Sequence, residues 1–594
     1  MINKSYLNKE LKSPFDYLRA QQDIERGEYK DLKPLNIAYM STYTAKILEP
    51  YIFTEMAKRG YKPSLYFPEF NNFEQEILNK ESLLYLSEPD ILIIHFRIED
   101  IDENLSNNFS IFSELELKDK QIKILSRVKS IMEMLSEGFD GNVIIYNFAF
   151  TECLSISISD PMLPYPHERF ISELNYKLIA ICKKIASCQI FDYFQTVNFV
   201  GISNWVDLKM LHLARIPFSV DSQITISKVL SKTIVASREA PCKCLVLDLD
   251  NTLWGGILGE DGVTGIQFGN DYPGSAFKRF QQSVLELYNQ GVLLAISSKN
   301  DEKIVKDAFS KRNDFIININ HFSALKINWK NKADNIIEIS KELNIGLNSI
   351  VFFDDSNYER GLVREMLPDV NVVDVPENFI DYPAALASQE FFDYLFLTDE
   401  DKKRNNYYNS DKHRSRLSKT VKSIDDFLAN LQMKVVIGEA NEATISRISQ
   451  LTLKTNQFST TTRRHTIADI EKMIKDDAIV SWLSVEDIYG DSGIIGVAIA
   501  TKKEVSNWYI DTFLLSCRAL GRKLEVVLLN NLLEKIKLKQ GELVFGEYIE
   551  SEKNNQVSLF YDDNGFDKVS DNFWKKELNS WVPNLPNFIE LRVL

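Results

Sequence analysis

The sequence predicts a multidomain α/β protein whose central part is a parallel sheet covered by helices. The chain has 594 residues, which is too long for one compact core and suggests three or four domains. Short apolar runs alternate with amphipathic segments between residues 35 and 375, as in α/β proteins. Hydrophobic residues make up 44% of the chain and charged residues 26%, so we expect folded rather than disordered domains.

The first predicted domain spans residues 1–235. Its apolar runs LNIAYMST, PSLYFPEF, DILIIHF and NVIIYNFAF are typical of buried strands. Amphipathic segments from Tyr43 to Arg59 and from Glu116 to Gly138 predict helices between these strands. This alternation indicates a parallel sheet covered on both faces.

The second predicted domain, residues 236–380, repeats the alternation. Its strands are KCLVLDLD, VLLAISS and SIVFFDD, and its helices are PGSAFKRFQQSVLELYNQG and NKADNIIEISKELNIG. Residues 381–430 are polar with a helical pattern, which indicates a connector. Residues 431–594 form the third predicted domain, with longer strands and one strong helix from Gly521 to Lys539.

The composition excludes several functional classes. A net charge of −15 argues against a nucleic-acid partner, which would normally meet a basic face. No run reaches the roughly 18 apolar residues of a membrane span, and the first residues lack the apolar core of a signal peptide. The six cysteines show no metal-site spacing, so we expect reduced thiols in a cytoplasmic protein.

Polar side chains follow three apolar runs of the second domain at the point where each strand ends. They are Asp248 and Asp250, Ser298, and the pair Asp354 and Asp355. Ligands of an open parallel sheet bind beyond the carboxyl ends of its strands, so we expect these side chains to lie close together. Four carboxylates repel each other unless a cation lies among them, and all-oxygen ligands suit Mg2+. An aspartate after a strand can also cap the next helix, but this role explains only one of the three strand ends.

This set of residues predicts phosphoryl transfer. A carboxylate with a reference pKa of about 3.9 is ionised at neutral pH, so Asp248 needs no histidine to attack phosphorus. Asp250 lies two residues further on an extended segment and therefore points to the same side. It can protonate the leaving oxygen and later deprotonate water. A cation and a lysine would offset the charge of the phosphate.

These segments resemble the motifs of the haloacid dehalogenase superfamily over residues 243–375. The resemblance lies in DLDNT, the serine before Lys299, a lysine further along the chain and the DD pair. It implies a role for each matching residue: Asp248 as nucleophile, Asp250 as acid/base, Thr252, Ser298 and Lys332 as substrate-binding residues, and Asp248, Asp250, Asp354 and Asp355 as Mg2+ ligands. Lys330 is the less favoured alternative to Lys332. The short stretches between these motifs leave no room for a large cap, so we expect an uncapped Rossmann-like domain that admits a bulky partner.

A finer resemblance extends over nearly the whole chain. CLVLDLDNTLWGGILGEDG, NWKNKADNI, FFDDSNYERG and LTLKTNQFSTTTRR are similar to segments of the FkbH-like glyceryl transferase/phosphatases, with Asn331 in place of an expected proline. The resemblance implies that the protein takes the glyceryl unit of 1,3-bisphosphoglycerate, a small phosphorylated C3 metabolite, and removes phosphate. It further implies loading of the phosphopantetheine arm of an acyl carrier protein in polyketide-type biosynthesis. The alternative is a phosphatase of the same superfamily that acts on another substrate, with the flanking domains as binding modules.

The run SCRALGR follows the strand WYIDTFLL and opens the helix at Gly521. Backbone N–H groups at a helix start, with Arg518 and Arg522, would hold a diphosphate, although an ordinary strand–helix turn is the alternative. The layout resembles GNAT acyltransferases, except that Lys523 stands where that family has a small residue. Cys517 is a candidate acyl-carrying thiol because a helix N-terminus lowers a thiol pKa, although burial as a small hydrophobe is the commoner role.

Two further groups of residues are weaker candidates. Asn456, Gln457, Arg463 and Arg464 are rich in amide and guanidinium donors, so they would bind phosphate or glyceryl hydroxyls, or form a solvated loop. The first domain loosely resembles SGNH-type hydrolases, with Ser41 after its first strand. Asp207 and His212 near its end depart from the Asp-x-x-His spacing of that family, so we expect a degenerate domain that docks partners.

Overall fold

The computed structural model describes residues 11–28, 32–69, 72–152, 158–183, 185, 187–394, 402, 404–405, 408, 414, 423–504, 506–516, 519–551 and 553–594. The chain forms two compact units. The first contains the described residues up to Arg238 together with His465–Asp476, and the second contains those of Glu239–Arg464 and Asp477–Leu594. Within the described ranges, no helix combines the length and the apolar character that crossing a bilayer requires.

A five-stranded parallel sheet forms the centre of the first unit. Its strands are β1 Lys33–Ser41, β2 Tyr61–Tyr66, β3 Ile91–His95, β4 Asn142–Tyr146 and β5 Cys188–Phe191. Their order in the sheet is β2-β1-β3-β4-β5. β3 and β4 are buried along their whole length, as expected for strands with helices on both faces of the sheet. The helices are α1 Pro14–Asp23, α2 Glu49–Lys58, α3 Phe73–Leu78, α4 Leu83–Leu86, α5 Ile98–Ile101, α6 Asn104–Asn107, α7 Glu114–Gly138, α8 His167–Cys182, α9 Tyr193–Val200, α10 Ile202–Trp205, α11 Leu208–Ala214 and α12 Val220–Arg238.

A second five-stranded parallel sheet forms the central domain, residues 239–394. Its strands are β6 Cys244–Leu247, β7 Leu293–Ser298, β8 Phe322–Ile327, β9 Ile350–Phe353 and β10 Asn371–Val372, in the order β10-β9-β6-β7-β8. The helices are α13 Leu258–Gly265, α14 Gly274–Asn289, α15 Glu302–Lys311, α16 Lys332–Glu342, α17 Asn357–Met366 and α18 Tyr382–Ala387. Alternate residues of β6 pack into separate apolar cores on the two faces of the sheet. β6 therefore runs through a closed core, and the polar residues Asp248 and Asp250 come only after its end.

The C-terminal domain, residues 423–594, is built on a nine-stranded mixed sheet. Its strands are β11 Met433–Glu439, β12 Phe458–Ser459, β13 Ile479–Asp487, β14 Gly490–Lys502, β15 Asn507–Leu515, β16 Leu543–Glu547, β17 Asp567–Ser570, β18 Phe573–Glu577 and β19 Ile589–Val593. They follow the order β17-β18-β16-β15-β14-β13-β11-β19, and β12 pairs with β15. The helices are α19 Ile424–Asn430, α20 Ile445–Lys454, α21 Ile467–Lys475, α22 Leu524–Leu538 and α23 Phe560–Asp563. α21 belongs to the first compact unit.

The multidomain α/β class predicted from the sequence is confirmed by these sheets. The stretch from β6 to β9 is described in full and contains the strands β7 and β8 and the helices α13 to α16, with no inserted cap domain. The strong helix of the C-terminal domain begins at Leu524, because Gly521 and Lys523 adopt left-handed φ values of 75° and 57° in the preceding turn. Most of the predicted connector lies outside the described residues, and the predicted domain borders stay predictions.

Candidate active site

Three carboxylates converge beyond the carboxyl ends of two neighbouring strands. Asp248 follows β6, and Asp354 and Asp355 follow β9, which pairs directly with β6. The chain moves outward from β6 to β8 and returns to the other side of β6 as β9, so this edge is the switch point of the sheet, where ligands bind. One oxygen from each carboxylate lies within 4.8 Å of the other two.

A buried lysine lies among these carboxylates. Lys332, the first residue of α16, places its Nζ 3.0 Å from Asp248 Oδ1 and 2.5 Å from Asp354 Oδ2. Its side chain is only 4% exposed, so both contacts are shielded from water. Lys330 instead forms a surface ion pair with Glu338 at 2.9 Å. The geometry therefore favours Lys332 as the lysine of the site.

One ammonium group does not offset the three carboxylates. Burial and the negative charge of Asp248 raise the pKa of Asp354 to about 7, although Lys332 acts in the opposite direction. Burial and Asp248 also raise the pKa of Asp355. Burial acts to lower the pKa of Lys332, but the charges of Asp248 and Asp354 outweigh it and raise that pKa. A divalent cation would relieve this excess of negative charge, and the all-oxygen ligand set suits Mg2+.

The loop after β9 is fixed by hydrogen bonds to its backbone and side chains. The Arg360 guanidinium donates to the carbonyl oxygens of Asp354 and Asp355, at 2.5 and 2.8 Å. The Ser356 N–H donates to Asp354 Oδ1 at 2.9 Å. The Thr252 hydroxyl donates to Asp355 Oδ1 at 3.2 Å and so orients a carboxylate of the cluster, and its predicted contact with substrate stays a prediction.

Asp250 differs from the expectation that its side chain joins the metal ligands. Its Oδ1 accepts hydrogen bonds from the Trp254 indole N–H at 2.9 Å and from the Leu258 N–H at 3.0 Å. Its Oδ2 accepts a hydrogen bond from the Asn300 amide at 2.8 Å. Because donors engage both oxygens, the side chain stands apart from the group of three carboxylates. Trp254 and Asn300 were missed by sequence reasoning, although Trp254 lies inside the motif segment CLVLDLDNTLWGGILGEDG and Asn300 lies two residues after Ser298.

Ser298 lies at the same edge of the sheet. It is the last residue of β7, which pairs with β6 on the side opposite to β9. Leu247 pairs with Ile296, so Ser298 lies just beyond the level of Asp248, and its side chain is buried. This position at the carboxyl edge is the one expected for a phosphate-binding hydroxyl.

Comparison with solved structures identifies the central domain. The N-terminal part of the protein BF1531 from Bacteroides fragilis, which contains a phosphatase domain and was crystallised in complex with Mg, is 30% identical to this chain. The match covers 65% of this chain and 100% of that chain, with a TM-score of 0.56. The chain belongs to the BF1531 phosphatase-domain family. The central domain is therefore a phosphatase domain, and the carboxylate cluster lies at its switch point.

Two acetyltransferases match with much lower similarity. A GNAT-family acetyltransferase from Staphylococcus aureus Mu50 is 15% identical, covers 24% of this chain and 99% of that chain, and gives a TM-score of 0.21. The acetyltransferase yncA from Salmonella typhimurium is 16% identical, covers 25% of this chain and 98% of that chain, and gives a TM-score of 0.20. At this level of similarity, neither match supports a conclusion about the C-terminal domain. No protein-family model and no curated protein matches the chain.

The predicted diphosphate site near α22 is not supported by its arginine. Arg522 is buried, and its Nη1 lies 3.3 Å from Asp487 Oδ2. Arg414 contacts the same carboxylate with its Nε at 2.8 Å. The guanidinium of Arg522 is therefore held inside the domain rather than directed at a ligand. Cys517 and Arg518 of the same run lie outside the described residues.

Arg463, from the second group of predicted binding residues, is paired with carboxylates of the C-terminal sheet. Arg463 forms ion pairs with Asp511 at 3.2 Å and Glu547 at 2.6 Å and so joins β15 to β16. Its role in the structure is therefore to hold two strands together. Arg464, the next residue, is exposed.

Gln457 contacts the phosphatase domain at the edge opposite to the carboxylate cluster. Its amide donates to Asn344 Oδ1 at 2.9 Å, and Asn344 lies before the amino end of β9. A four-residue strand separates that edge from Asp354 by about 13 Å. Asn456 is half-buried beside Gln457. The structure thus brings neither amide to the phosphatase site.

The first unit shows no hydrolase site at the residues considered from its sequence. The Ser41 hydroxyl is buried and donates to the Tyr43 carbonyl at 2.7 Å. Asp207 caps α11 by accepting from the Met210 N–H at 3.0 Å. His212 is exposed on that helix. These contacts are structural ones, and the resemblance of this unit to SGNH-type hydrolases stays a prediction.

Proposed function

We propose that the protein is an Mg2+-dependent phosphatase of the haloacid dehalogenase superfamily that works through a phospho-aspartate at Asp248. The observation that carries this proposal is the cluster of three carboxylates around the buried Lys332 at the switch point of the sheet. The Mg complex of the related phosphatase domain supports the choice of metal. Asp248, Asp354 and Asp355 would hold the ion, which would offset the charge of the phosphate and orient it toward Asp248.

The residues of the site supply the chemistry in two steps. In the first step, an oxygen of Asp248 forms a bond to phosphorus while the bond to the leaving oxygen breaks, and Asp250 gives its proton to that oxygen. Burial raises the pKa of Asp250, which favours the protonated form that this step needs. In the second step, the Asp250 carboxylate takes a proton from water as the water oxygen bonds to phosphorus. The bond between phosphorus and Asp248 then breaks and phosphate leaves.

The proposed substrate is 1,3-bisphosphoglycerate, and its glyceryl unit is transferred to the phosphopantetheine thiol of an acyl carrier protein. The support for this finer activity is the resemblance of four sequence segments to the FkbH-like enzymes. The described cysteines are poor acyl acceptors, since all are buried, and burial raises the pKa of Cys242 to about 12 and that of Cys244 further. A thiol outside this set, on the carrier protein or at Cys517, would carry the acyl group.

The second candidate is a phosphatase that acts on another phosphorylated substrate, with the flanking domains as binding modules. The ion pairs of Arg463 and Arg522 favour this alternative, because both guanidinium groups are already paired with carboxylates of the protein. The two candidates share the chemistry at Asp248 and differ in the substrate and in whether a glyceryl unit is transferred to a carrier thiol.

One experiment separates the two candidates. The full chain is incubated with Mg2+, 1,3-bisphosphoglycerate and a phosphopantetheine-bearing carrier protein, and phosphate release and the intact masses of both proteins are measured. A glyceryl adduct on the carrier, lost with Asp248→Asn, is the expected result of glyceryl transfer. Release of phosphate above the Asp248→Asn background without a carrier adduct would favour the second candidate, and the absence of both an adduct and such release would contradict glyceryl transfer from 1,3-bisphosphoglycerate.

A further inference from the structure

Three hydrogen-bond donors hold the carboxylate of Asp250 inside the phosphatase domain. The Trp254 indole and the Leu258 N–H both donate to Oδ1, while the Asn300 amide donates to Oδ2. The three donors come from different places: the chain after β6, the start of α13 and the loop after β7. Such a set of donors fixes both the position of a carboxylate and the rotation of its plane.

Trp254 is itself held rigidly. Its side chain is fully buried and stacks on Phe315, with ring planes 2° apart and centroids at 5.5 Å. Phe309 of α15 contacts the same ring edge-on at 5.9 Å. Because packing fixes the indole, its N–H points at one place, and a single rotamer of Asp250 satisfies it.

The segment that supplies the Leu258 N–H is also anchored. The Arg312 guanidinium donates to the carbonyl oxygens of Val263, Ile266 and Phe268, at 3.1, 3.3 and 2.8 Å. α13 is thereby tied to the end of α15. Two independent supports, an aromatic stack and an anchored helix, therefore converge on Oδ1 of one carboxylate.

We propose that Trp254 and Asn300 are positioning residues that hold Asp250 for proton transfer to the leaving oxygen and from the attacking water. This inference rests on the proposed phospho-aspartate chemistry. Both side chains donate hydrogen bonds to Asp250, so we expect their effect to reach the reaction through this carboxylate. The arrangement matters most where a proton must reach the leaving oxygen, because an alkoxide leaves poorly without it.

The test compares two leaving groups in the full-length protein with Mg2+. Glycerol 3-phosphate needs a proton on its leaving oxygen, whereas p-nitrophenyl phosphate releases a stable phenolate. In a single turnover, Trp254→Phe and Asn300→Ala should slow release of glycerol by about tenfold, a part of the usual contribution of general acid catalysis. Release of nitrophenol in the first turnover should change much less. Water should attack the phospho-aspartate more slowly in these variants. The nitrophenol released in the first turnover should therefore appear as a burst.

Trp508→Phe is the matched control. Trp508 is also fully buried, but it lies in the C-terminal sheet, and its indole N–H has no hydrogen-bond partner among the described residues. This variant should leave both rates unchanged. If Trp254→Phe does not fold, Asn300→Ala must show the same dependence on the leaving group.

The outcomes are distinct for the two claims. Equal slowing of both substrates, or no slowing of either, would overturn the positioning role of Trp254 and Asn300. The proposed function would still stand if Asp248→Asn abolished phosphate release. A wild-type protein that releases phosphate from neither substrate would overturn the proposed function and this inference together.

Discussion

Buried charges are balanced differently in the phosphatase domain and in the C-terminal domain. At the switch point, three carboxylates share the single ammonium group of Lys332, which leaves an excess of negative charge. In the C-terminal domain, Asp487 lies between Arg414 and Arg522, so its charge is offset within the protein. The difference teaches that an uncompensated cluster of buried charges marks a ligand site, whereas a compensated cluster marks internal structure.

Removal of Lys332 should have the largest effect among the changes that test this difference between the two domains. Lys332→Met should destabilise the metal-free protein by about 3–5 kcal/mol, because the carboxylates of Asp248 and Asp354 lose the buried ammonium group that contacts both of them. Addition of Mg2+ should restore part of this loss, since the ion takes over the charge compensation. Urea denaturation with and without Mg2+ measures both effects. If the variant were as stable as the wild type in the absence of metal, the carboxylates would not depend on the ammonium group of Lys332.

Removal of Arg522 tests the compensated charges of the C-terminal domain. Arg522→Met should destabilise the protein by about 1–3 kcal/mol, because Asp487 keeps Arg414 as a partner. The rate of phosphate release per folded molecule should stay unchanged. The exposed Arg464 offers the control Arg464→Met, for which little change in stability is expected. Loss of phosphatase turnover in folded Arg522→Met would show that the two regions are not independent.

The pH dependence of Mg2+ binding gives the smallest of the three effects. The folded-state pKa of Asp354, about 7, lies above the value of a free aspartate, so its protonated form is favoured in the metal-free protein. Metal-free stability should therefore fall as pH rises toward 7. Mg2+ needs the deprotonated form, so its affinity should weaken by up to about tenfold for each pH unit below 7. Titration calorimetry between pH 5.5 and 8 checks this, and an affinity independent of pH would contradict it.

Much of the phosphatase site could be predicted from the sequence because its residues follow strand ends. Buried parallel strands appear as unbroken apolar runs, and their carboxyl ends must share one edge, so DLD and DD had to meet. The substitution at Asn331 is explained by its role as the cap of α16, where its side chain accepts the Ala333 N–H at 2.8 Å. These features follow from local sequence patterns together with the common direction of strands in a parallel sheet.

The partners of single side chains could not be predicted in the same way. The carboxylate of Asp250 was expected among the metal ligands, but its direction is decided by Trp254 and Asn300, whose hydrogen bonds depend on tertiary packing. Arg463 and Arg522 looked like free cations because their acidic partners lie between 35 and 84 residues away along the chain. A pattern of residue types indicates which groups are present, and only the fold shows which of them are already paired.

The most direct test of the account is the chemical identification of the residue that carries the phosphoryl group. The full chain with Mg2+ and an excess of substrate is quenched during turnover, treated with borohydride, which reduces an acyl phosphate to an alcohol, and analysed by peptide mass spectrometry. The account predicts homoserine at position 248 in the wild type and none in Asp248→Asn. Phosphate release without any reduced aspartate at that position would contradict it.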